Sequence, residues 1–521
     1  MNRAEMLQQM VSQKEWDICI IGGGATGLGI AVDAASRGYK TILLEKFDFA
    51  KGTSSRSTKL IHGGIRYLQQ GRLKFVTDSL KERGLLFKNA PHIVKNQSFI
   101  IPNYKIWEQP FYGIGLKLYD WMAGDLALGP SQFLSKQETL KLAPTLNSEG
   151  LRGGVLYHDG QFDDARLAIH LAMTAADFDA TLLNYCSVDG FLKVKNKIVG
   201  VTATDTLENK QYEVKSKVVI NATGVFNDDI VKMDNEFFVH QITPSRGIHL
   251  VFNKEFFPSE TALMIPKTED GRVLFAIPWH NKIIVGTTDT PTSKTDIEPI
   301  ALTSEVEFVL HHVGRYLTKS PTKNDIKSVF AGLRPLLNEK NKTTSTLTRD
   351  HRIFISASGL ISIAGGKWTT YRKMAEDVLT VAIRQAGLLE KICRTNNLPI
   401  HGYQENTDFK KPLYYYGSDE DNIQLLYTTN KELKELIHNE LPFTKAEIIW
   451  AVQNEMCMTI EDALSRRTRA LFLNAKAAIE AAPITAELMA DVMGKDEAWK
   501  KQEVQNFNLV AKHYLPTTIK T

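Results

Sequence analysis

The spacing of apolar positions changes twice in the first fifty residues. "WDICIIGGG" is a short continuous apolar run ending in glycines, the pattern of a buried strand. "ATGLGIAVDAASRG" spaces its apolar residues at helical period and stops at Gly38. "YKTILLEKF" is again apolar and extended, so the chain opens with a strand–helix–strand unit, which implies a parallel sheet. "RLKFVTDSLKERGLLFK" and "FDDARLAIHLAMTAADF" carry helical spacing, the second with an Asp pair near its start as cap. "TLLNYCSV", "IVGVTATDT" and "KVVINATG" read as strands. From Gln241 to Leu337 short alternating runs, among them "GIHLVF", "GRVLFAIPW" and "KIIVGTTDT", are separated by turns and predict an antiparallel sheet. "LISIAGG" followed by "KWTTYRKMAEDVLTVAIRQAG" returns to strand–glycine–helix. Beyond Leu398 the pattern is helical: "TKAEIIWAVQNE", "TIEDALSRRTRALF" and "TAELMADVMG" each open on a Thr with an acid two or three residues later, as a capped helix does.

This pattern predicts an α/β chain of three units. A discontinuous Rossmann-like dinucleotide-binding domain takes residues 14–90, 150–240 and 338–388. An antiparallel β-sheet domain takes 91–149 and 241–337, and an all-α domain takes 398–521. Several cores are required in any case, because 521 residues exceed what one hydrophobic core supports. Composition narrows the partners. A net charge of +4 gives no general case for nucleic acid. The four cysteines, Cys19, Cys186, Cys393 and Cys457, are far apart in sequence, which argues against a dithiol relay or zinc cluster and for a reducing compartment. Cys19, inside an apolar strand, reads as a small core residue. His311 and His312 are adjacent on a helix and face different ways, so no metal site is expected. "MNRAEMLQQMVSQKEW" lacks an apolar signal-peptide core, and "ICIIGGGATGLGIAV" is glycine-broken and too short to span a bilayer. Surface attachment to a membrane stays open, since it needs only an amphipathic face.

Three glycines, Gly22, Gly24 and Gly27, give GxGxxG between strand and helix. The first makes the tight turn, the second admits a pyrophosphate, and the third lets helix pack on strand. Glu45, at the end of the next strand, stands where an acid accepts a ribose hydroxyl. A strand running into Ala222-Thr223-Gly224 and a second strand–glycine–helix turn at Gly365, Gly366, Thr369 and Thr370 favour FAD over NAD. A helix N-terminus there would stabilise the negative charge of a reduced flavin.

"TSSRSTKLIHGGIRYL", "FDDARL", "GTTD", "GLRPL", "TRDH" and "GGKWTTYRKMAE" together resemble the FAD-dependent, quinone-linked glycerol-3-phosphate dehydrogenases and their close relatives the glycerol-3-phosphate oxidases, over nearly the whole chain. The resemblance implies an FAD-binding domain of the glycine-oxidase and D-amino-acid-oxidase kind, an antiparallel substrate domain over the flavin, and a helical C-terminal domain. It places Thr53, Ser54, Ser55 and Lys59 against FAD, together with Ala222, Gly224, Gly366, Lys367 and Thr369. It assigns Arg66, Tyr67, Arg334 and Lys367 to the substrate phosphate, a dianion that needs charge-assisted donors. His249 and Arg349, with Arg334, stand at the reacting hydroxyl; which of His249 and Arg349 takes the proton stays open. His62 either faces the flavin or braces the Gly63-Gly64 turn. Arg466, Arg467 and Arg469 read as a solvated helix face or a contact between domains.

The implied activity is oxidation of sn-glycerol 3-phosphate to dihydroxyacetone phosphate, with electrons passed to a membrane quinone. The implied setting is cytoplasmic, peripheral on the inner face of the cell membrane, with a homodimer left open. An oxidase using dioxygen and making hydrogen peroxide is the alternative. The compact Gln241–Leu337 segment, without the insertion associated with oxidases, favours the dehydrogenase. A flavin-binding protein without turnover is disfavoured by the presence of Arg66, His249, Arg334, Arg349 and Lys367. An oxidase of amino or 2-hydroxy acids is disfavoured by cations in excess of what one carboxylate needs.

Overall fold

A computed structural model describes residues 1–64, 71–269, 271–338 and 350–518. After a helix Arg3–Ser12 (α1), the strand Trp16–Ile21 (β1), the helix Ala25–Ser36 (α2) and the strand Thr41–Leu44 (β2) form the expected unit, β1 and β2 pairing in parallel. β1 is flanked on its other side by Lys210–Asn221, which pairs in parallel with Ile361–Gly365; β2 pairs in parallel with Thr181–Leu183. Distant segments thus build one sheet whose strand ends converge. Helices α2, Asp164–Asp177 and Tyr371–Gln385 cover it, and their apolar faces make a core in which Cys19 is fully buried.

The second sheet is mostly antiparallel, the exception among its described strands being the parallel pairing of Ala262–Ile265 with Val94–Asn103. Toward one end of it the long strand Ile242–Asn253 is flanked by Lys282–Gly286 and Ser328–Leu337. Two strands in stretches assigned to the first domain pair in this sheet. Gly153–Phe162 pairs along its whole length with Val94–Asn103, and Leu60–Ile61 pairs with Gln161 and Gly160. Alternation shows which face of a strand is buried but not which sheet it joins.

Beyond residue 398 the described chain is helical. Lys445–Asn454 opens as expected, Glu447 taking both the N–H and the hydroxyl of Thr444. Three readings change. "TLLNYCSV" is two strands, Thr181–Leu183 and Cys186–Val194, split where Tyr185 turns at φ +54° and sends its hydroxyl to Asp462. "TAELMADVMG" starts no helix. Thr485 lies inside Ala475–Met493, its hydroxyl back-bonded to Ala481, and the cap is Asn474. "TIEDALSRRTRALF" is broken into Ile460–Asp462, a wide turn at Ala463–Arg467, and Ala470–Leu473 after Arg469 at φ +66°.

The break has a cause. Arg466, Arg467 and Arg469 are buried, not solvated, and all three reach acceptors in the nucleotide domain, the first two sharing Asp48. Asp48 takes Arg466 at 2.5 Å and both terminal nitrogens of Arg467 at 2.7 and 2.9 Å. Arg469 donates to the Ser55 carbonyl and to Asp164, while Arg166 answers from the other side with Glu455 at 2.5 and 3.1 Å. On a regular helix these three side chains would spread over about 160° of arc; the wide turn brings them to one seam.

Candidate active site

Two cavities meet at the C-terminal ends of the parallel strands, the position at which α/β sheets bind ligands. The larger, about 530 Å³, is lined by Gly22, Gly24, Glu45, Thr53, Ser54, Ala222, Gly224, Gly366 and Lys367, all of them anticipated. Gly22 has φ +107°, a conformation only glycine holds without strain. Gly27 does not line the cleft. A Cβ on it would lie 1.8 Å from the Gly22 carbonyl, so it serves the expected close approach of helix to strand. No side chain of α2 caps its N-terminus, and among its first N–H groups Ala25 donates to Ser54 at 2.9 Å. The rest of that turn is a ready anion site.

Glu45 borders the cleft, yet its oxygens already accept N–H groups, from Gly23 at 2.6 Å and Phe47 at 2.8 Å. Burial raises its pKa against those bonds. It therefore holds the glycine turn as well as facing the position expected for a ribose.

Two expected cofactor contacts are not in the cleft. Lys59 is fully buried, bonded to Asp164 at 2.7 Å and the Ser55 carbonyl at 2.8 Å, among the rings of Trp279, Phe330 and Phe472. Burial brings its pKa down to about 7. Ser55 is 1% exposed and turns inward; its carbonyl receives Lys59 and Arg469. Both belong to the ionic seam rather than to the ligand. Thr53 keeps its place in the wall, with its hydroxyl donated to Leu333 of the second sheet.

The smaller cavity, about 170 Å³, opens from the first across Thr53, Pro335, Gly366, Lys367 and Trp368. His249, Arg334, Lys367, Thr369 and His62 line it. His249 stands on the long strand Ile242–Asn253, its ring stacked on Phe330 at 4.8 Å and one nitrogen, Nε2, 2.9 Å from the Thr58 hydroxyl. The other, Nδ1, is buried without a hydrogen-bond partner among the described residues. Burial first, then the charges of Lys59 and Arg334, push His249 well below 6.5, so the imidazole is neutral.

Arg334 comes from the neighbouring strand, in register with Ser245. Its guanidinium donates to Thr287 at 3.0 Å and the Thr288 carbonyl at 2.9 Å, and lies 3.4 Å from Asp289. Lys367 sits 4.5 Å over the Phe75 ring and donates to the His62 carbonyl at 3.4 Å, as does Thr369. His62 thus both lines the pocket and ties the Gly63 turn to this wall. Arg66, Tyr67 and Arg349 lie outside the described residues. The sequence reading missed Thr58, Arg56, Thr287 and Asp289. Arg56, paired with Glu298 at 2.6 Å, lines the small cavity also. The hydroxyl- and cation-rich run from Thr53 to Lys59 contained two of these four, but the run alone does not say which side chains face the cavity.

The comparisons agree with this geometry. A family profile described as "FAD dependent oxidoreductase" matches residues 17–372, and one described as "C-terminal domain of alpha-glycerophosphate oxidase" matches residues 361–500. The mitochondrial glycerol-3-phosphate dehydrogenase of Homo sapiens is 39% identical over 541 residues, covering 96% of this chain and 74% of the relative. The structure of the glycerol-3-phosphate dehydrogenase from Bacillus halodurans complexed with FAD superposes with a TM-score of 0.81 at 30% identity, covering 100% of this chain and 99% of that one. Glycine oxidase from Geobacillus kaustophilus shares the fold, with a TM-score of 0.54 at 19% identity over 74% of this chain and 99% of its own. Fold and cleft together define an FAD-dependent oxidoreductase with a glycine-oxidase-like FAD-binding domain. Within that class the chain belongs to the family of the glycerol-3-phosphate dehydrogenases.

The residues present fit the cofactor. Gly22 and Gly24 leave room for a pyrophosphate at the uncapped start of α2. Ala222 and Gly224 line the same cleft, which runs on past Gly366 and Lys367 to the small pocket holding His249.

Proposed function

We propose that this protein oxidises sn-glycerol 3-phosphate to dihydroxyacetone phosphate and passes the electrons to a membrane quinone, working at the inner, cytoplasmic face of the cell membrane. The observation that carries the reading is a neutral buried histidine together with Arg334 and Lys367 in one small pocket that opens from the dinucleotide cleft. Bound FAD supplies the acceptor for the carbinol hydrogen and its bonding pair. Arg334 and Lys367 attract the phosphate dianion and set the alcohol toward His249. His249, neutral near physiological pH, receives the hydroxyl proton. Thr58, on the opposite nitrogen from the unpartnered one, holds the orientation of the ring. Arg66 and Tyr67 are assigned to the same phosphate and Arg349 to the reacting hydroxyl by family resemblance.

An anaerobic titration tests this. Purified holoenzyme should be yellow and bleach with about one equivalent of glycerol 3-phosphate, regaining colour with a soluble quinone. A protein unbleached by that substrate would refute the substrate assignment. Stoichiometric peroxide in air, with no response to quinone, would move the acceptor to dioxygen.

A further inference from the structure

The run from Ser55 to Lys59 serves the small cavity and a buried carboxylate at once. Arg56 and Thr58 line the cavity, and Thr58 brings its hydroxyl to His249. Ser57 and Lys59 are tied to Asp164. It accepts the N–H and the hydroxyl of Ser57 at 2.9 and 2.7 Å, and the Lys59 ammonium at 2.7 Å. The Ser57 hydroxyl in turn accepts the Lys59 N–H at 3.0 Å. Lys59 itself has φ +60°, a left-handed conformation that a residue with a Cβ keeps only where its surroundings hold it. The turn that aims Thr58 at the histidine therefore depends on what anchors Lys59.

Two cations share those anchors. Lys59 donates to the Ser55 carbonyl at 2.8 Å as well as to Asp164. Arg469, from the helical C-terminal part of the chain, donates to the same carbonyl at 2.7 Å and to the same carboxylate at 3.2 Å. Asp163, next to Asp164, lies 3.7 Å from Arg469 and 3.7 Å from His280, so the two cations face two buried acids. Trp279, Phe330 and Phe472 wall the cluster. Phe330 carries the His249 ring at 4.8 Å and has the Lys59 ammonium 5.2 Å from its centre. The clamp thus meets the histidine along two paths, the Thr58 hydroxyl and the Phe330 ring. Yet among the described residues none beyond Met374 lines either cavity.

We propose that Lys59 and Arg469 are positioning residues for the reaction. By gripping the Ser55 carbonyl and Asp164 together, they lock the left-handed turn that presents Thr58 to His249. The C-terminal segment thereby controls the base without reaching the pocket. A loosened Thr58 leaves the imidazole free to turn, and a misdirected base slows the chemical step without weakening substrate binding. The inference rests on His249 as the base, proposed above, and its test separates the two.

Reduction of bound flavin by glycerol 3-phosphate is followed by anaerobic stopped flow, at matched FAD occupancy, in the native holoenzyme, Lys59→Met, Thr58→Val and the double variant. Lys59→Met should slow the limiting rate about tenfold and change the half-saturating substrate concentration less than about threefold. In the Thr58→Val background the same substitution should cost less than about threefold, because the hydroxyl it positions is gone. A lysine that only stabilises the fold would give losses that multiply. Arg469→Gln should slow reduction about fivefold, again with little further loss in the Thr58→Val background, and it decides the matter if Lys59→Met is not recovered with flavin. Arg469→Lys, which keeps a cation for the same acceptors, should regain most of the rate. Multiplying losses, or native rates in both Lys59→Met and Arg469→Gln while Thr58→Val is slow, overturn the inference and leave His249 standing as the base. A Thr58→Val enzyme as fast as the native one overturns it together with the role of Thr58. A native holoenzyme that the substrate fails to reduce overturns the proposed activity, and this inference with it.

Discussion

Replacing Arg334 with Ala removes a guanidinium whose use is largely accounted for. A guanidinium has five N–H groups. Thr287, the Thr288 carbonyl and Asp289 accept from it here, and a fork of two parallel bonds is what an arginine gives a phosphate. A charge-assisted hydrogen bond contributes about 1.5–3 kcal/mol, so two contribute roughly 3–6 kcal/mol. Removal also leaves the Asp289 carboxylate, 12% exposed, with the Ser245 hydroxyl but without this cation, and so repels a dianion. The expected loss in kcat/KM for glycerol 3-phosphate is therefore roughly 10²–10⁴-fold. Glycerol, which has the alcohol but no phosphate, supplies the control. It should be a poor substrate of both proteins, and its kcat/KM should change less than about threefold on Arg334→Ala. Steady-state rates with a dye acceptor, at matched FAD occupancy, measure both. Equal losses for the two substrates would refute the assignment, because Arg334 would then be holding the pocket's shape and not the phosphate.

The kcat profile should lack an ordinary histidine limb. Because burial and two cations hold His249 below 6.5, kcat is expected to stay level as pH falls from about 8 to about 6, and a limb centred at 6.5 or above would contradict the neutral-base assignment. By linkage the same shift weakens the fold as pH drops below 6.5, since the unfolded chain takes a proton the native one refuses. Thr58→Val should lower kcat roughly tenfold to a hundredfold by leaving Nε2 unbonded, with little change in KM, and Thr58→Ser should restore it. Asp48→Asn strips one carboxylate from two buried guanidiniums and should cost about 3–5 kcal/mol in urea unfolding. A change under about 1 kcal/mol would show that the seam is not a stabilising contact.

Local rules revealed the nucleotide unit because each of its signals is local: the apolar run of β1, the glycines, the helical period of α2. The same holds for Gly22, Gly24, Ala222 and Gly366, whose backbone positions follow from the strands they end. His249, Arg334 and Lys367 came from motif resemblance and do share one cavity. Lys59 and Ser55 were misjudged because nothing near them in sequence announces Asp164, Arg469 or the rings of Trp279 and Phe472. Gly153–Phe162, in a stretch assigned to the first domain, pairs in the second sheet, because its partner strand decides its place. Thr58 lies inside a quoted motif, but only the tertiary contact of its hydroxyl with His249 shows which residue of that run meets the base.

The arginine seam has a consequence for how the molecule is made. Asp48 follows the glycine turn closely, yet its partner Arg466 is synthesised 418 positions later. Between Asp48 and Ser55 lies the stretch that supplies Thr53 and Ser54 to the cleft, and its far end is held by Arg469 through the Ser55 carbonyl. A nascent chain therefore carries the nucleotide fingerprint long before it can close the loop that completes it. A chain cut before Arg466 is expected to close this loop less firmly and to retain less coenzyme than the full chain, which the flavin content of the two forms measures.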